Sequence, residues 1–483
     1  MLYLAAVILK YIGERMKTLK LPVILWICII FNVSSTWATD LSVHLIGDKL
    51  TLESYDEPLI KILNKLSDQG VRVRIDPQIN PRVTARFYNR PIGPAMKSLL
   101  KSLDYALIWQ ESTDSASREL QLREIRIFHR GQEEQIRNLT SNVNLKVVKN
   151  ANGTYHVQDI LLLQLTQSIT EETFQALLDQ LGATVIDAHL PLGIVKLRLP
   201  AGTDIHTVAA TISNYTGIQR AEPDFAYPVN GSRQIVGSES LNLSLTDNQS
   251  SVGNTVVAVL DSGLKADYNN SPFVLGTYDA VSPNSEGGDA LGHGTQMTLI
   301  AAGVVDPKGI ASVENESNPV VSIRAIDDNG FTSNYTLLNG IDYAIEMGAR
   351  VISLSWGSET PSALLESATD YAAANGLILV AAAGNEPTGS PVYPAAYEKV
   401  IGVGALTPTG EPWVQSNYGD FVTLQAPGMA ELPVGFQGDP GLYVGTSIAT
   451  AYTAHSIAAI LDEMPEADLS IILQKLKSDN QIQ

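Results

Sequence analysis

The sequence almost completely lacks cysteine. Of its 483 residues only Cys28 is a cysteine, and it lies within an apolar N-terminal run. Disulfides therefore hold nothing together within one chain, and cysteine-based zinc sites and a cysteine nucleophile are excluded. No HExxH motif or Cys/His spacing indicates a catalytic metal either, so we expect chemistry that requires no cofactor.

Basic residues are scarce in the C-terminal half. Residues 245–483 hold 27 Asp and Glu against 7 Lys and Arg, a formal charge of −20, whereas the first 244 residues hold 24 against 25. An acidic half repels phosphate, which argues against a nucleic-acid partner. A well-hydrated soluble surface explains this acidity most simply, and cation binding is the alternative.

Long apolar runs are absent apart from one at the N-terminus. The run Leu21–Val33 has about 13 residues, fewer than the ~20 that span a bilayer as a helix. Basic residues precede the run, and Thr36 and Ala38 occupy the −3 and −1 positions of a cleavage site. This layout predicts a signal peptide over 1–38 and a secreted or periplasmic protein with no stable membrane insertion after its removal. An uncleaved membrane anchor is the alternative.

Residues 40–130 have the pattern of a small α/β module. The helical spacing of Leu59, Ile62 and Leu66 is followed by an alternating strand over Val71–Ile75. The stretch "LTLESYDEPLIKILNKLSDQGVRVRIDP" with "VTARFYNRPIGPAMKSLLKSLDYALIWQ" resembles the short N-terminal domain of secretins and TonB-dependent receptors. This resemblance implies contacts with an envelope protein and a Gram-negative bacterium. A polar stretch with Asn-Gly, residues 131–155, indicates a linker.

Residues 156–228 form a second predicted α/β unit. A strand over Ile160–Leu165 precedes a helix over Glu171–Leu181. The phrase "LGIVKLRLPAGTDIHTVAATISNYTGIQRAEPDFAYPV" resembles the propeptide of subtilases, and we call residues 156–228 the propeptide-like region. The resemblance implies a unit that assists folding and blocks the active site. A purely structural domain is the alternative.

Two segments follow the propeptide-like region. Residues 229–254 are rich in Gly, Ser and Asn, which indicates an exposed linker where a precursor would be cut. Residues 255–483, the peptidase-like region, alternate buried, β-branched runs with amphipathic helices. The pattern predicts an α/β, doubly wound fold with a mostly parallel sheet, preceded by the two small α/β domains. The active site of such a fold gathers at the carboxyl ends of the strands.

Three residues that together can make a serine nucleophilic lie at or near the carboxyl ends of the predicted strands. Asp261 ends the first run in "VVAVLDSG", His293 lies in "GHGT", and Ser447 lies in "YVGTSIAT" before a helical stretch. A serine hydroxyl needs a base to take its proton, an imidazole does so near neutral pH, and a carboxylate fixes the imidazole. The only other histidine after residue 245 is His455, which we interpret as a helix residue and not a base.

The order Asp, His, Ser and the motifs "DSG", "GHGT" and "GTSIA" resemble the subtilisin-like serine peptidases over residues 255–475. The resemblance implies a serine endopeptidase with Asp261, His293 and Ser447 as its catalytic triad. It also implies that Asn385 in "VAAAGNEP" is the oxyanion-hole residue. One departure is Ala451, where the family usually has proline.

The same resemblance implies the substrate-binding residues. Two stretches, "SLSWG" and "AAAG", would line the cleft with Ser355, Trp356, Gly357 and Gly384. Asp306 is the candidate ligand for a structural calcium ion. Lys308 beside it and the lack of clustered acids favour the absence of calcium.

Two functions compete with a general endopeptidase that cuts proteins and is inhibited by its own propeptide. The first is a catalytically silent, peptide-binding module of an envelope complex, against which the intact set of four residues argues. The second is a dedicated processing enzyme that residues 40–130 recruit to a secretion or receptor complex.

Overall fold

A computed structural model describes most of the chain from residue 42 onward. The described residues are 42–46, 48–67, 71–75, 79, 81–100, 103–111, 120–129, 137–138, 144–150, 152–229, 231–237, 252–283, 288–310, 317–436, 440–478 and 482. The predicted signal peptide, Cys28 and residues 238–251 of the predicted linker lie outside them. The chain divides into two compact units, and the larger one takes in Asn144–Val281 and Gly287–Gln483.

The smaller unit contains two sheets and two helices. Its elements are β1 (Ser42–Ile46), β2 (Lys49–Pro58), α1 (Leu59–Ser67), β3 (Arg72–Ile75), β4 (Arg82–Pro91), α2 (Ile92–Leu99), β5 (Asp104–Glu111), β6 (Leu120–Phe128) and β7 (Arg137–Asn138). One sheet has the order β1-β2-β4, and the other has the order β5-β6-β3-β7 with β3 and β6 parallel. The apolar face predicted for α1 is buried, since Leu59, Ile62 and Leu66 are 0% exposed.

The propeptide-like region is an antiparallel sheet with two helices packed on it. Its elements are β8 (Val147–Lys149), β9 (Tyr155–Leu165), α3 (Glu171–Leu181), β10 (Thr184–His189), β11 (Ile194–Arg198), α4 (Ile205–Ile212) and β12 (Ile218–Pro228). The strands have the order β10-β11-β9-β12, and β8 pairs with β9. Strand β8 therefore lies within residues 131–155, which the sequence analysis interprets as a linker. Helix α3 has the predicted bounds because Thr170 caps its first turn and Gly182 ends it at φ 59°.

The peptidase-like region is built on a seven-stranded parallel sheet. After β13 (Arg233–Gly237), its strands are β14 (Val257–Asp261), β15 (Val274–Asp279), β16 (Val320–Arg324), β17 (Phe331–Ser333), β18 (Val351–Leu354), β19 (Ile378–Ala382), β20 (Val400–Leu406), β21 (Leu424–Pro427), β22 (Met429–Leu432) and β23 (Gly441–Val444). The sheet order is β15-β16-β14-β18-β19-β20-β21, with every neighbouring pair parallel.

Helices cover the parallel sheet. They are α5 (His293–Ala301), α6 (Asn334–Glu346), α7 (Ala363–Ala374), α8 (Thr446–Glu463) and α9 (Leu469–Ser478), with a short 3-10 turn at Ala266–Tyr268. Every residue of β14, β16, β18 and β20 is buried, which is why these strands are mostly apolar and do not alternate with polar residues. The predicted doubly wound α/β fold is confirmed. Strand β15 was not predicted, because it lies at the sheet edge and carries a half-buried, mixed sequence.

Two smaller strand pairings join the chain to this framework. Strand β12 of the propeptide-like region pairs with β17, and β13 pairs with β23. Among the described residues, no helix is long and apolar enough to cross a membrane.

Candidate active site

Asp261 and His293 are in contact at the carboxyl end of the parallel sheet. Asp261 is the last residue of β14, and its Oδ1 lies 2.8 Å from Nδ1 of His293. Both side chains are 1% exposed. The contact requires a tight turn before α5, where Gly292 has φ 84° and a Cβ on Gly294 would lie 2.3 Å from the carbonyl oxygen of Gly263. The glycines of "GHGT" are therefore needed to bring the imidazole to the carboxylate.

The turn that carries His293 is held by Asp289, which the sequence analysis missed. Its carboxylate accepts hydrogen bonds from the backbone N–H groups of Gly292 and Thr295, both at 2.7 Å, and from the hydroxyl of Ser262 at 2.7 Å. A carboxylate at the start of α5 also suits the positive end of the helix dipole. The signal in the sequence was an acidic residue shortly before a predicted helix start.

The environment of His293 raises the pKa of its imidazole. Burial alone lowers the pKa of His293, but the charge of Asp261, the hydrogen bond to it and the charge of Asp289 outweigh burial. The pKa of His293 therefore lies above the ordinary value of histidine.

This shift predicts the acidic limb of the activity profile. A general base must be neutral, so activity is present above the pKa of His293 and is lost as the pH falls through it. We expect kcat/KM for a peptide to fall on acidification with a midpoint above the ordinary histidine value of about 6.5. A kcat/KM series across pH measures this midpoint, and a midpoint below 6 would contradict the assignment.

Ser447 lies in the first turn of α8. Its hydroxyl donates to the carbonyl oxygen of Ser355 at 3.0 Å, and Ser355 directly follows β18, the neighbour of β14. Nε2 of His293 is buried and has no hydrogen-bond partner among the described residues. The structure thus joins Asp261 to His293, and it places the Ser447 hydroxyl on Ser355 instead of the imidazole.

Asn385 faces the same helix start. Its Oδ1 accepts hydrogen bonds from the backbone N–H and the hydroxyl of Thr446, both at 2.9 Å. Because the amide oxygen is engaged by Thr446, the Nδ2 group keeps its two N–H donors for another acceptor. Thr446 was not among the predicted site residues, although it directly precedes Ser447.

Replacing Asn385 by alanine should lower kcat about 100- to 1,000-fold, because one preorganised donor to the developing oxyanion is lost. KM should change little, since the donor acts mainly in the transition state. Steady-state kinetics on a peptide substrate measure both constants. Asn375→Ala, which alters an exposed asparagine after α7, is the matched control. A loss confined to KM would contradict the oxyanion role.

The predicted substrate-binding residues surround one cavity. Ser355, Trp356, Gly357 and Gly384 line a cavity of about 220 Å³. Asn385 and Ser447 line it as well, and so does Pro228, which belongs to the propeptide-like region.

The chain pairs with strands of the peptidase-like region on both sides of position 230. On one side Tyr227 is aligned with Thr332 in the β12–β17 pair, and the backbone N–H of Val229 donates to the carbonyl oxygen of Gly330 at 2.8 Å. On the other side Arg233 is aligned with Val444 in the β13–β23 pair. Strand β12 thus pairs with the strand that leads into α6, and β13 pairs with the strand that leads to Ser447.

Two residues of this connection lie close to site residues. A Cβ on Gly445 would lie 3.2 Å from Cα of Ser232, and a Cβ on Gly231 would lie 2.6 Å from the ring of Phe436. The Phe436 ring in turn packs edge-on against the imidazole of His293, with 5.3 Å between centroids. Ser232 thus lies beside Gly445, two residues before Ser447, and Gly231 lies beside the ring that packs on His293.

Two acidic residues of the propeptide-like region meet helix starts of the peptidase-like region. Glu222 accepts from the hydroxyl of Ser362 at 2.6 Å and from the N–H of Ala363 at 2.9 Å, at the start of α7. Asp224 is 0% exposed and accepts from the N–H of Tyr335 at 3.0 Å, at the start of α6. Carboxylates satisfy the free N–H groups and the positive dipole end of a helix.

Two further predicted residues lie apart from the Ser447 cavity. His455 is buried in α8, where its Nδ1 lies 2.8 Å from Nδ2 of Asn318. Burial raises the pKa of Asp306, and the nearby Lys308 pairs with Glu431 at 2.7 Å. In the part of the chain that the structure describes, no group of three or more His, Cys, Asp or Glu side chains is placed to hold a metal ion.

Comparisons with known proteins assign both halves of the larger unit. A model of the subtilase family matches residues 253–478, and a model of the fervidolysin N-terminal prodomain matches residues 142–224. A thermophilic serine proteinase from Bacillus sp. strain AK1 is 29% identical to this chain. The match covers 67% of this chain and 82% of the proteinase. Thermitase from Thermoactinomyces vulgaris is 33% identical over 42% of this chain and 74% of its own length.

A solved structure has the same fold. Fervidolysin from Fervidobacterium pennivorans, described as a keratinolytic enzyme related to subtilisin, superimposes with a TM-score of 0.55 at 21% identity. The match covers 68% of this chain and 58% of the fervidolysin chain.

Proposed function

The chain belongs to the subtilase family of serine peptidases, and on that premise we propose that it is a secreted serine endopeptidase made as a self-processed precursor. In this proposal Ser447 is the nucleophile, His293 the general base and Asp261 the residue that orients it. The observation that carries the proposal is the buried contact of 2.8 Å between Asp261 and His293, together with the Ser447 hydroxyl on Ser355, which follows the strand next to that of Asp261.

The reaction follows from these positions. The Ser447 hydroxyl turns from the Ser355 carbonyl to Nε2 of His293, which takes its proton as Oγ attacks the substrate carbonyl carbon. Asp261 stabilises the imidazolium, and Nδ2 of Asn385 donates to the oxyanion. His293 then gives the proton to the leaving amine as the C–N bond breaks. Water, deprotonated by His293, hydrolyses the acyl-enzyme and releases Ser447.

The first substrate in this proposal is the chain itself. The β12–β17 and β13–β23 pairings hold the chain on either side of residues 229–232 by strand pairing, the way an extended substrate is held. We therefore narrow the expected maturation cut from 229–254 to a peptide bond between Val229 and Ser232. The carboxylates of Glu222 and Asp224 would keep the severed propeptide-like region bound as an inhibitor.

Removing one of these carboxylates should weaken that inhibition. Asp224→Ala leaves the N–H of Tyr335 without its partner at a buried helix start, which costs about 1–3 kcal/mol. We expect the cut variant propeptide to inhibit the mature enzyme about 10- to 100-fold less tightly. Inhibition constants measure this, with Asp179→Ala, an exposed residue at the end of α3, as the control. Equal constants for Asp224→Ala and the unchanged propeptide would refute the capping role.

A labelling assay tests the endopeptidase itself. The wild-type protein should cut an unfolded protein at internal bonds, and a fluorophosphonate should label it on a single peptide that contains Ser447. A protein that binds peptides with no hydrolysis and no label would be the catalytically silent module instead. A label on another serine would refute the assignment of the nucleophile.

Residues 40–130 suggest where the enzyme acts. Their resemblance to the N-terminal domain of secretins and TonB-dependent receptors supports recruitment to an envelope protein of a Gram-negative periplasm. Envelope proteins retained by the Ser447→Ala chain, but not by the same chain without residues 40–130, would support recruitment. Equal retention by both chains would remove it.

A further inference from the structure

Tyr227 fills a pocket of the peptidase-like region next to the Ser447 cavity. Its side chain is 1% exposed, and its ring stacks on Trp356 with 5.5 Å between centroids and 25° between planes. The phenol hydroxyl donates to Oδ1 of Asn334 at 2.7 Å. The pocket thus offers an aromatic wall for the ring and an acceptor for its hydroxyl.

The acceptor is fixed by neighbours that belong to the peptidase-like region. Nδ2 of Asn334 donates to the hydroxyl of Ser362 at 2.9 Å, so the amide presents its oxygen to the phenol. Ser362 is held in turn by Tyr397, whose hydroxyl donates to the Ser362 carbonyl at 2.8 Å and accepts from its N–H at 3.1 Å. The Ser362 hydroxyl also donates to Glu222 of the propeptide-like region at 2.6 Å. The two contacts of Tyr397 with the Ser362 backbone lie within the peptidase-like region, so they remain to hold Ser362 when the propeptide-like region departs.

Resting on the proposed function, we propose that Trp356 and Asn334 select tyrosine in substrates at the position that Tyr227 takes in the precursor. This position is the third to fifth residue on the N-terminal side of the cleaved bond, because the cut lies between Val229 and Ser232. The enzyme then prefers chains that are cut a few residues after a tyrosine, and Asn334 is the residue that determines this specificity.

The preference depends on the phenol hydroxyl, because the aromatic ring alone does not distinguish tyrosine from phenylalanine. Phenylalanine stacks on Trp356 as tyrosine does, but it leaves the buried Oδ1 of Asn334 without a donor. A buried acceptor without a partner is costly, and sites built to bind a hydroxyl reject the analogue that lacks it. We expect at least about a tenfold difference in kcat/KM between tyrosine and phenylalanine.

The test uses peptides with the chain's own sequence over residues 223–236, PDFAYPVNGSRQIV, and the enzyme produced by the full chain. Position 227 is tyrosine, phenylalanine or leucine, and kcat/KM is measured for wild type, Asn334→Leu and Asn334→Asp. The ratio of tyrosine to phenylalanine should be about ten or more in wild type. It should fall to about one in Asn334→Leu and stay high in Asn334→Asp, which keeps an acceptor.

Each outcome decides between the claims. A wild-type ratio near one, with both peptides cut, overturns the tyrosine preference and leaves the endopeptidase intact. A high ratio that Asn334→Leu leaves unchanged overturns the role of Asn334. If wild type cuts neither the peptides nor any other protein, the proposed endopeptidase function is wrong, and the tyrosine preference that rests on it is wrong as well. Because the wild-type ratio needs no variant, a misfolded Asn334→Leu protein does not prevent the test.

Discussion

Ser447→Ala is expected to lower peptide turnover about a million-fold, the magnitude typical for loss of the serine nucleophile in this family. Alanine has no hydroxyl to form the acyl-enzyme, and the neighbouring Thr446 hydroxyl is engaged by Asn385. The remaining rate comes from binding and from the Asn385 donor, which still act on attack by water.

A sensitive fluorogenic peptide measures the residual rate of Ser447→Ala. The control is Ser456→Ala in the same helix, which removes a hydroxyl that donates to the Tyr452 carbonyl one turn earlier. We expect the control to keep the wild-type rate. A Ser447→Ala protein that retains even one hundredth of the wild-type rate would show that another group is the nucleophile.

Asp261→Asn is expected to lower kcat about 10⁴-fold. The asparagine would keep the shape of the contact with His293, but it lacks the charge that stabilises the imidazolium, and its amide can hold the wrong imidazole tautomer. The charge and the hydrogen bond of Asp261 also help to raise the pKa of His293. The acidic limb of the remaining activity should therefore move to lower pH.

The rate and the pH profile together distinguish this role from a structural one. Asp267→Asn, a change to an exposed carboxylate six residues later, should leave both unchanged. If Asp261→Asn lowered the rate through misfolding alone, the remaining activity would keep the wild-type midpoint. That result would contradict the direct action of Asp261 on His293.

The sequence predicted the parallel sheet well for a physical reason. Strands such as β14 and β18 are buried along their whole length, so their residues are mostly apolar, with Asp261 and Ser353 as the exceptions. The edge strand β15 and the short strand β8 have partly exposed faces, and their mixed sequences do not stand out from loops.

The catalytic and oxyanion-hole residues that the sequence predicted are nucleophilic, basic, acidic or amide side chains that stand in short recognisable motifs. The residues that position them were not predicted, because Asp289 and Thr446 act through hydrogen bonds with backbone N–H groups or with Asn385, and the residue type alone does not show which contact it makes. Likewise, Asn334 and Tyr227 are 107 positions apart, so only the fold places the amide oxygen on the phenol. The position of the Ser447 hydroxyl on Ser355 is a choice of rotamer, on which the sequence carries no information.

The most direct test of a working Ser447 and a self-removed propeptide is a time course of the full chain. Wild type and Ser447→Ala are incubated in parallel, and intact mass and N-terminal sequencing follow the products. We predict that wild type yields a new chain that begins at residue 230, 231 or 232, while Ser447→Ala stays uncut. If both chains stay uncut, or if both are cut at the same bond, the proposed self-processing by Ser447 is wrong.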